Sequence, residues 1–329
     1  MREQERTTTL PGVFATISAG FDLTARHLWL LLLPAILDVF YWLGPRLRFQ
    51  TLLEQLLNML PAEAEVLDLS TQLADIAPHT NLFTTLTVQL IGVPALMVGL
   101  APQTTPLTSQ NIEVSDWSSW FGLFLIFTVI GLLLTAVFYS LIALAIAGQS
   151  AEVSRLTAGQ WGKRVLSSWL RLIGLALIFL FIAMILYIPL IIVGTILFLI
   201  NSTLGSIALL AGPFLLVWVI IILSMAPYGI ILYGRPLLRA VIESVRLVQA
   251  HLPSVIYLLF SILLIGAVLD WLLFAVENGT WLTMVNIMGH AFVSTALIAA
   301  VFIFYRDRYA AMFGADTVYE ARTLQDIDK

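Results

Sequence analysis

The chain has no cysteine, which excludes disulfides, thiolate chemistry and cysteine-ligated zinc. Its four histidines are scattered, without an HExxH or similar pairing, so no histidine-based metal site is expected. Charge is the next shortage. Asp, Glu, Lys and Arg make up 11% of the 329 residues, against about 25% in soluble domains. The net charge is only −4, and the basic residues sit beside apolar runs rather than forming a basic surface. Nucleic acid is therefore rejected as a partner, and membrane lipids take its place. Chemical motifs are missing too. There is no phosphate-binding loop or dinucleotide fingerprint, and Gly148-Gln149-Ser150-Ala151-Glu152 lacks the second glycine of a nucleophile elbow. The sequence nominates no cofactor and no catalytic residue.

What it holds instead is apolar length. Hydrophobic residues make up 60% of the chain. In residues 165–233 the only charge is Arg171. Two stretches there, 172–200 and 207–233, each exceed the roughly 20 residues needed to cross a hydrocarbon core. Residues 201–205 between them read as a polar turn. Further spans are expected at 28–43, 121–147, 255–276 and 285–305, with Pro34 kinking the first. After Arg2 and Arg6 no small-residue cleavage site follows the first apolar run, so that run is expected to stay as an anchor. The fold class is all-α, a polytopic helical membrane protein with six transmembrane helices, forming a single integral membrane domain over 1–329.

Residues 44–117 read as a helical insert outside the cytoplasm, with short amphipathic helices at 50–60 and 66–76 and a loop at 101–116. Residues 82–100 are ambiguous. Their stripe of Leu82, Leu86, Leu90, Val93, Met97 and Leu100 favours a surface or re-entrant helix over a seventh span. With six spans and the N-terminus inside, fourteen of the sixteen Lys and Arg face the cytoplasm and only Arg46 and Arg48 lie outside. Seven spans satisfy charge almost as well. A repeated plan favours six. Residues 9–28 and 234–252 each show a proline start, an amphipathic helix and a His-Leu pair leading into a span, and 148–171 occupies the equivalent place. All three in-plane helices lie on one face only if there are six spans. In residues 234–252 the expected apolar face is Leu238, Val241, Ile242, Val245, Val248 and Leu252. The polar face carries Arg239, Glu243 and Arg246 at spacings that allow ion pairs.

The stretch Arg-Pro-Leu-Leu-Arg-Ala-Val-Ile-Glu-Ser-Val-Arg-Leu-Val-Gln-Ala-His-Leu-Pro-Ser-Val-Ile-Tyr-Leu-Leu from Arg235 resembles a group of bacterial and archaeal six-span membrane proteins. These are related to the membrane domain fused to some glycerophosphodiester phosphodiesterases. Ala240, Glu243, Ser244, Leu247 and Val248 carry the likeness, which is clearest over about thirty residues. The resemblance implies a membrane domain without established chemistry. No counterpart of the phosphodiesterase domain is found, so no catalytic residue carries over.

Ionisable residues within spans are the ones lipid tolerates least, at about 2.5–3.5 kcal/mol for a carboxylate at a helix centre. Asp38, Asp270 and His290 are three such residues, with Glu277 at a span edge. In the six-span arrangement the first three share a depth of roughly 8–9 Å below the outer surface. They could form an outward-facing polar pocket that relays protons or binds a cation or headgroup. The plainer alternative is that each snorkels to the interface separately. Arg171, Arg239 and Arg246 could grip anionic headgroups, or serve only as positive-inside anchors. Pro189, Pro213 and Pro227 interrupt the central spans, where broken helices could build a transport site. Two function classes follow. One is a non-enzymatic membrane component that is transport-like, lipid-contacting or scaffolding. The other is an intramembrane enzyme or ion-coupled transporter working through the polar pocket.

Overall fold

A computed structural model of the chain describes residues 10–59, 80–88, 91–98, 105–147, 157–274 and 280–314. Helix α1 (Val13–Arg26) ends at His27, where the chain bends by 93°. A 3-10 turn (Leu28–Leu31) and α2 (Leu32–Leu43) follow. The bend comes before Pro34, the expected kink. Pro34 sits in the first turn of α2, where its missing N–H has no helical partner to lose. Next come β1 (Arg46–Arg48), α3 (Gln50–Met59), a 3-10 turn (Leu82–Leu86) and β2 (Asn111–Glu113). The long helices are α4 (Trp117–Ala147), α5 (Ala158–Ile200) and α6 (Ser202–Leu223). The short α7 (Ala226–Tyr233) and α8 (Leu237–Ala250) lead to α9 (Leu252–Phe274) and α10 (Thr283–Phe313).

Five helices are long and apolar enough to cross a membrane, or six if the bent pair at His27 counts as one span. The protein is an all-α, multi-pass membrane protein. Its surface agrees with its composition. Large apolar side chains stand exposed along α5 and α6, up to 83% at Leu199, a continuous apolar surface that lipid accepts and water does not.

Several local expectations change. Residues 82–100 do not form a helix in the described part: a 3-10 turn gives way to turns at 91–98. Thr84 and Thr85 spend their hydroxyls on the carbonyls of Asn81 and Leu82, the local bonding by which threonine competes with longer helices. The polar turn at 201–205 shrinks to Asn201. Its Oδ1 accepts the N–H groups of Thr203 and Leu204 at 2.9 and 3.2 Å, so α6 starts at the next residue. Residues 158–171 form no separate in-plane helix but run unbroken into α5. Only the first and third copies of the repeated plan therefore keep a break before the span. Pro189 and Pro213 lie inside α5 and α6, and the break in the fourth span falls at Ser224-Met225, ahead of Pro227. The helix expected at 66–76, residues 148–156 and Glu277 lie outside the described residues.

The chain folds as two compact units. The first takes the described residues of Met1–Ala19, Ile146–Ser261 and Ala300–Lys329. Within it α5 and α6 pack along each other, and α8 packs on α7 and α6. Ser244 Oγ donates to the carbonyl of Ile222 at 2.7 Å. The buried face of α8 is Ala240, Glu243, Ser244, Leu247 and Val248. It is rotated from the expected apolar face, and Leu238 and Ile242 stand exposed. In lipid an apolar side chain need not turn inward, so a mixed face of Glu243 and Ser244 with Ala240, Leu247 and Val248 can meet the protein while Leu238 and Ile242 stay outside.

The second unit takes the described residues of Gly20–Ala145 and Ile262–Ala299. Here β1 and β2 pair in parallel, Leu47 opposite Ile112, a ribbon too short for any alternation to announce it. Buried Asn81 accepts the N–H groups of Leu47 and Phe83 through Oδ1, at 3.1 and 3.2 Å. Leu47, Leu82 and Val114 form a small core that Phe83, Trp120, Phe124 and Phe127 pack against, so the insert lies on the first half of α4. Gly131 permits the approach: a Cβ there would stand 2.4 Å from the carbonyl oxygen of Leu86. At the head of α4, Asp116 Oδ2 takes the Ser118 hydroxyl and the Ser119 N–H at 2.5 and 2.8 Å. These bonds, the Ser118 one foremost, hold its carboxyl below the usual range. Burial lowers the pKa of Arg46, and neighbouring Arg48 adds to the effect.

Candidate functional site

Three helices of the second unit each bring one ionisable side chain to the same place. On α2, about three turns past the bend at His27, Asp38 is fully buried. Its Oδ1 accepts the N–H of Met97 at 2.8 Å, so the turn at 91–98 lies directly against it. Its Oδ2 has no hydrogen-bond partner and stands 3.8 Å from His290 Nδ1. On α10, His290 is 12% exposed and presents its other nitrogen, Nε2, 3.9 Å from Asp270 Oδ1 on α9. Asp270 is 49% exposed. The order Asp38, His290, Asp270 thus runs from sealed to open.

The surrounding structure fixes this arrangement. Asn286 Nδ2 donates to the Leu273 carbonyl at 3.2 Å, tying the start of α10 to the end of α9. Trp42 and Trp281 meet edge to face at 5.7 Å, and Phe21 lies 5.9 Å from Phe292. The gaps of 3.8 and 3.9 Å are ion-pair distances, longer than hydrogen bonds. They set one imidazole nitrogen against each carboxylate.

Of the three arginines singled out in the sequence, Arg171 is committed to the fold. Its Nη1 donates to the carbonyls of Gly234 and Arg235. Arg164, two turns earlier on α5, donates to Ile231 and Leu232 at 3.1 and 2.8 Å. Together they satisfy the C-terminal carbonyls of α7, which ends at Gly234 in the left-handed conformation (φ 60°). Arg239 and Arg246 are exposed. Arg239 pairs with Glu243 at 2.9 Å, at the spacing expected for one helix turn.

Glu243 belongs to a buried cluster that the sequence did not reveal. Arg235 Nε lies 3.5 Å from its Oε2, with both side chains 7% exposed. Tyr309 on α10 donates to Glu243 Oε1 at 3.3 Å and accepts from Arg235 Nη2. Arg235 sits over the Tyr309 ring at 5.5 Å. The only advance signal was the aromatic pair Tyr305 and Tyr309 spaced i,i+4 on the last helix.

The second unit therefore brings two carboxylates and one imidazole together from three helices. The first holds a buried ion pair at the start of α8, which the Tyr309 hydroxyl ties to α10. Compared with family models, curated proteins and solved structures, the chain matches none. What the fold establishes is the class: a multi-pass, membrane-embedded helical protein.

Proposed function

We propose that the protein is a transport-like component of the cell membrane, and that Asp38, His290 and Asp270 form the site where it takes up a cation. Both termini are read as cytoplasmic and residues 44–117 as lying outside. The positive-inside distribution of fourteen basic residues supports that orientation. One observation carries the functional reading: an imidazole stands between two carboxylates on three apolar helices. Ionisable groups in lipid are expensive and mark ion pathways or proton relays. Three that only snorkelled would have no reason to face one another. Exposed Arg239 and Arg246 are positioned to meet anionic headgroups, and α8 is read as lying in the membrane plane. Kinship with the six-span group rests on the buried residues of that helix.

Flux measurements test this. Purified protein in vesicles that hold a pH-sensitive dye, under an imposed potential, should move cations or protons above the background of empty vesicles. Asp270→Asn and His290→Gln should each return flux to that background. Equal flux in wild type and both variants, or none in any, contradicts the proposal.

A further inference from the structure

The arrangement of donors distinguishes which cation the site takes. A metal ion binds at most one nitrogen of an imidazole ring. Here Asp38 faces Nδ1 and Asp270 faces Nε2, so no single ion can engage His290 and both carboxylates together. Among the described residues no group of three His, Asp or Glu converges on such a point. A proton has no such restriction. Imidazole accepts one at one nitrogen while releasing another from the opposite nitrogen. The carboxylates differ as relay ends must: Asp270 is half open and Asp38 is sealed.

Among the described residues no hydrogen bond leads onward from Asp38 Oδ2. The other carboxylate oxygen is held by the Met97 N–H at 2.8 Å, with the Leu96 amide beside it. Four elements among the described residues pack on Asp38 or come within its electrostatic reach. From α10 comes His290 and, beyond it on α9, Asp270. On α2 itself Tyr41 is near, its hydroxyl paired with Thr87 at 3.0 Å. Residues 91–98 bring the Met97 and Leu96 amides to it and no titratable group, for Ile-Gly-Val-Pro-Ala-Leu-Met-Val has no ionisable side chain. An N–H bond to a charged carboxylate is roughly twice as strong as one to a neutral group. The charge on Asp38 therefore sets how firmly that turn is held.

We propose that the ligand of this site is the proton, that His290 passes it between Asp270 and Asp38, and that its arrival on Asp38 loosens the turn at 91–98. The inference rests on the reading of these three residues as a working site. In the transfer, the O–H bond of protonated Asp270 breaks as Nε2–H forms. The Nδ1–H bond breaks as O–H forms at Asp38 Oδ2. Asp270 is left as a carboxylate, Asp38 as a neutral acid, and His290 neutral in its other tautomer. Closing each gap to hydrogen-bond length takes a movement of about 1 Å.

The test reads the Met97 amide in the full-length protein labelled with 15N-methionine, assigned by Met97→Leu. On acidification from about pH 8 to about pH 4 its proton resonance should move upfield in one titration as the Asp38 charge is lost. Asp38→Asn keeps an acceptor and should hold the resonance fixed. His290→Gln should shift the midpoint while preserving the fold. Zn2+ at constant pH should leave the wild-type signal in place. A Met97 amide flat across the range overturns the latch. One that answers to Zn2+ but not to pH overturns the proton as ligand. The reading of the site as a transport site fails separately: titration without flux sinks transport alone, and flux with a flat amide sinks only the present inference.

Discussion

Glu243→Ala should destabilise the protein by about 3–5 kcal/mol, the range for removing one partner of a buried ion pair. Arg235 and Glu243 are both 7% exposed, so water cannot take over the lost partner. Tyr309 also loses its acceptor. The cost comes mainly from the stranded Arg235 charge rather than from the worth of the contact, and that distinction can be checked. The double variant Arg235→Met with Glu243→Leu removes both charges and fills similar volume. It should recover most of the loss, because apolar replacements of buried pairs are often neutral or better. Arg239→Ala removes only the exposed partner, 59% exposed, and should cost no more than about 1 kcal/mol. Thermal melting of the four proteins in one detergent separates these outcomes. Equal losses for Glu243→Ala and the double variant would place the energy in packing and not in charge.

The second large effect separates holding the fold from operating the site. Asp38→Ala should abolish flux and also leave the Met97 N–H without an acceptor, costing about 1–3 kcal/mol for a buried unpaired group. Asp38→Asn should abolish flux equally, since an amide cannot carry the proton. It retains an oxygen for Met97 and should melt above Asp38→Ala, short of the wild type only by what a neutral acceptor loses against a charged one. Flux and melting temperature measured on the same two preparations decide the matter. An Asn variant with normal flux would remove Asp38 from the working site.

The spans were legible because lipid imposes a simple demand: about twenty apolar residues with every backbone group satisfied internally. The ends of α4, α9 and α10 differ from the expected bounds by a few residues to a turn or two. The polar residues were legible as well, because Asp38, Asp270 and His290 stand out against apolar neighbours. That they face one another depends on helix packing, which periodicity does not encode. The insert was the least readable part. Its β1–β2 ribbon is three residues long, and the stripe from Leu82 to Leu100 suggests a helix where Thr84 and Thr85 tie off a 3-10 turn. The orientation of α8 was not legible, because the rule for water-soluble helices turns the apolar face inward. Here the side holding Glu243 and Ser244 is the one that packs on the chain.

The three residues form one site that is reached from outside at Asp270 and closed at Asp38. The absence of native cysteine permits a direct measurement. Single cysteines replace Asp270, His290 and Asp38 in turn, with controls at Thr108 and Gln249, and intact cells receive an impermeant maleimide. Labelling is expected at Thr108 and not at Gln249. Within the site the rate should fall from Asp270 to His290 to Asp38, following exposures of 49, 12 and 0%. Labelling at Thr108 with none at Asp270 or His290 would contradict the account, leaving three polar groups packed against one another in a dry interior.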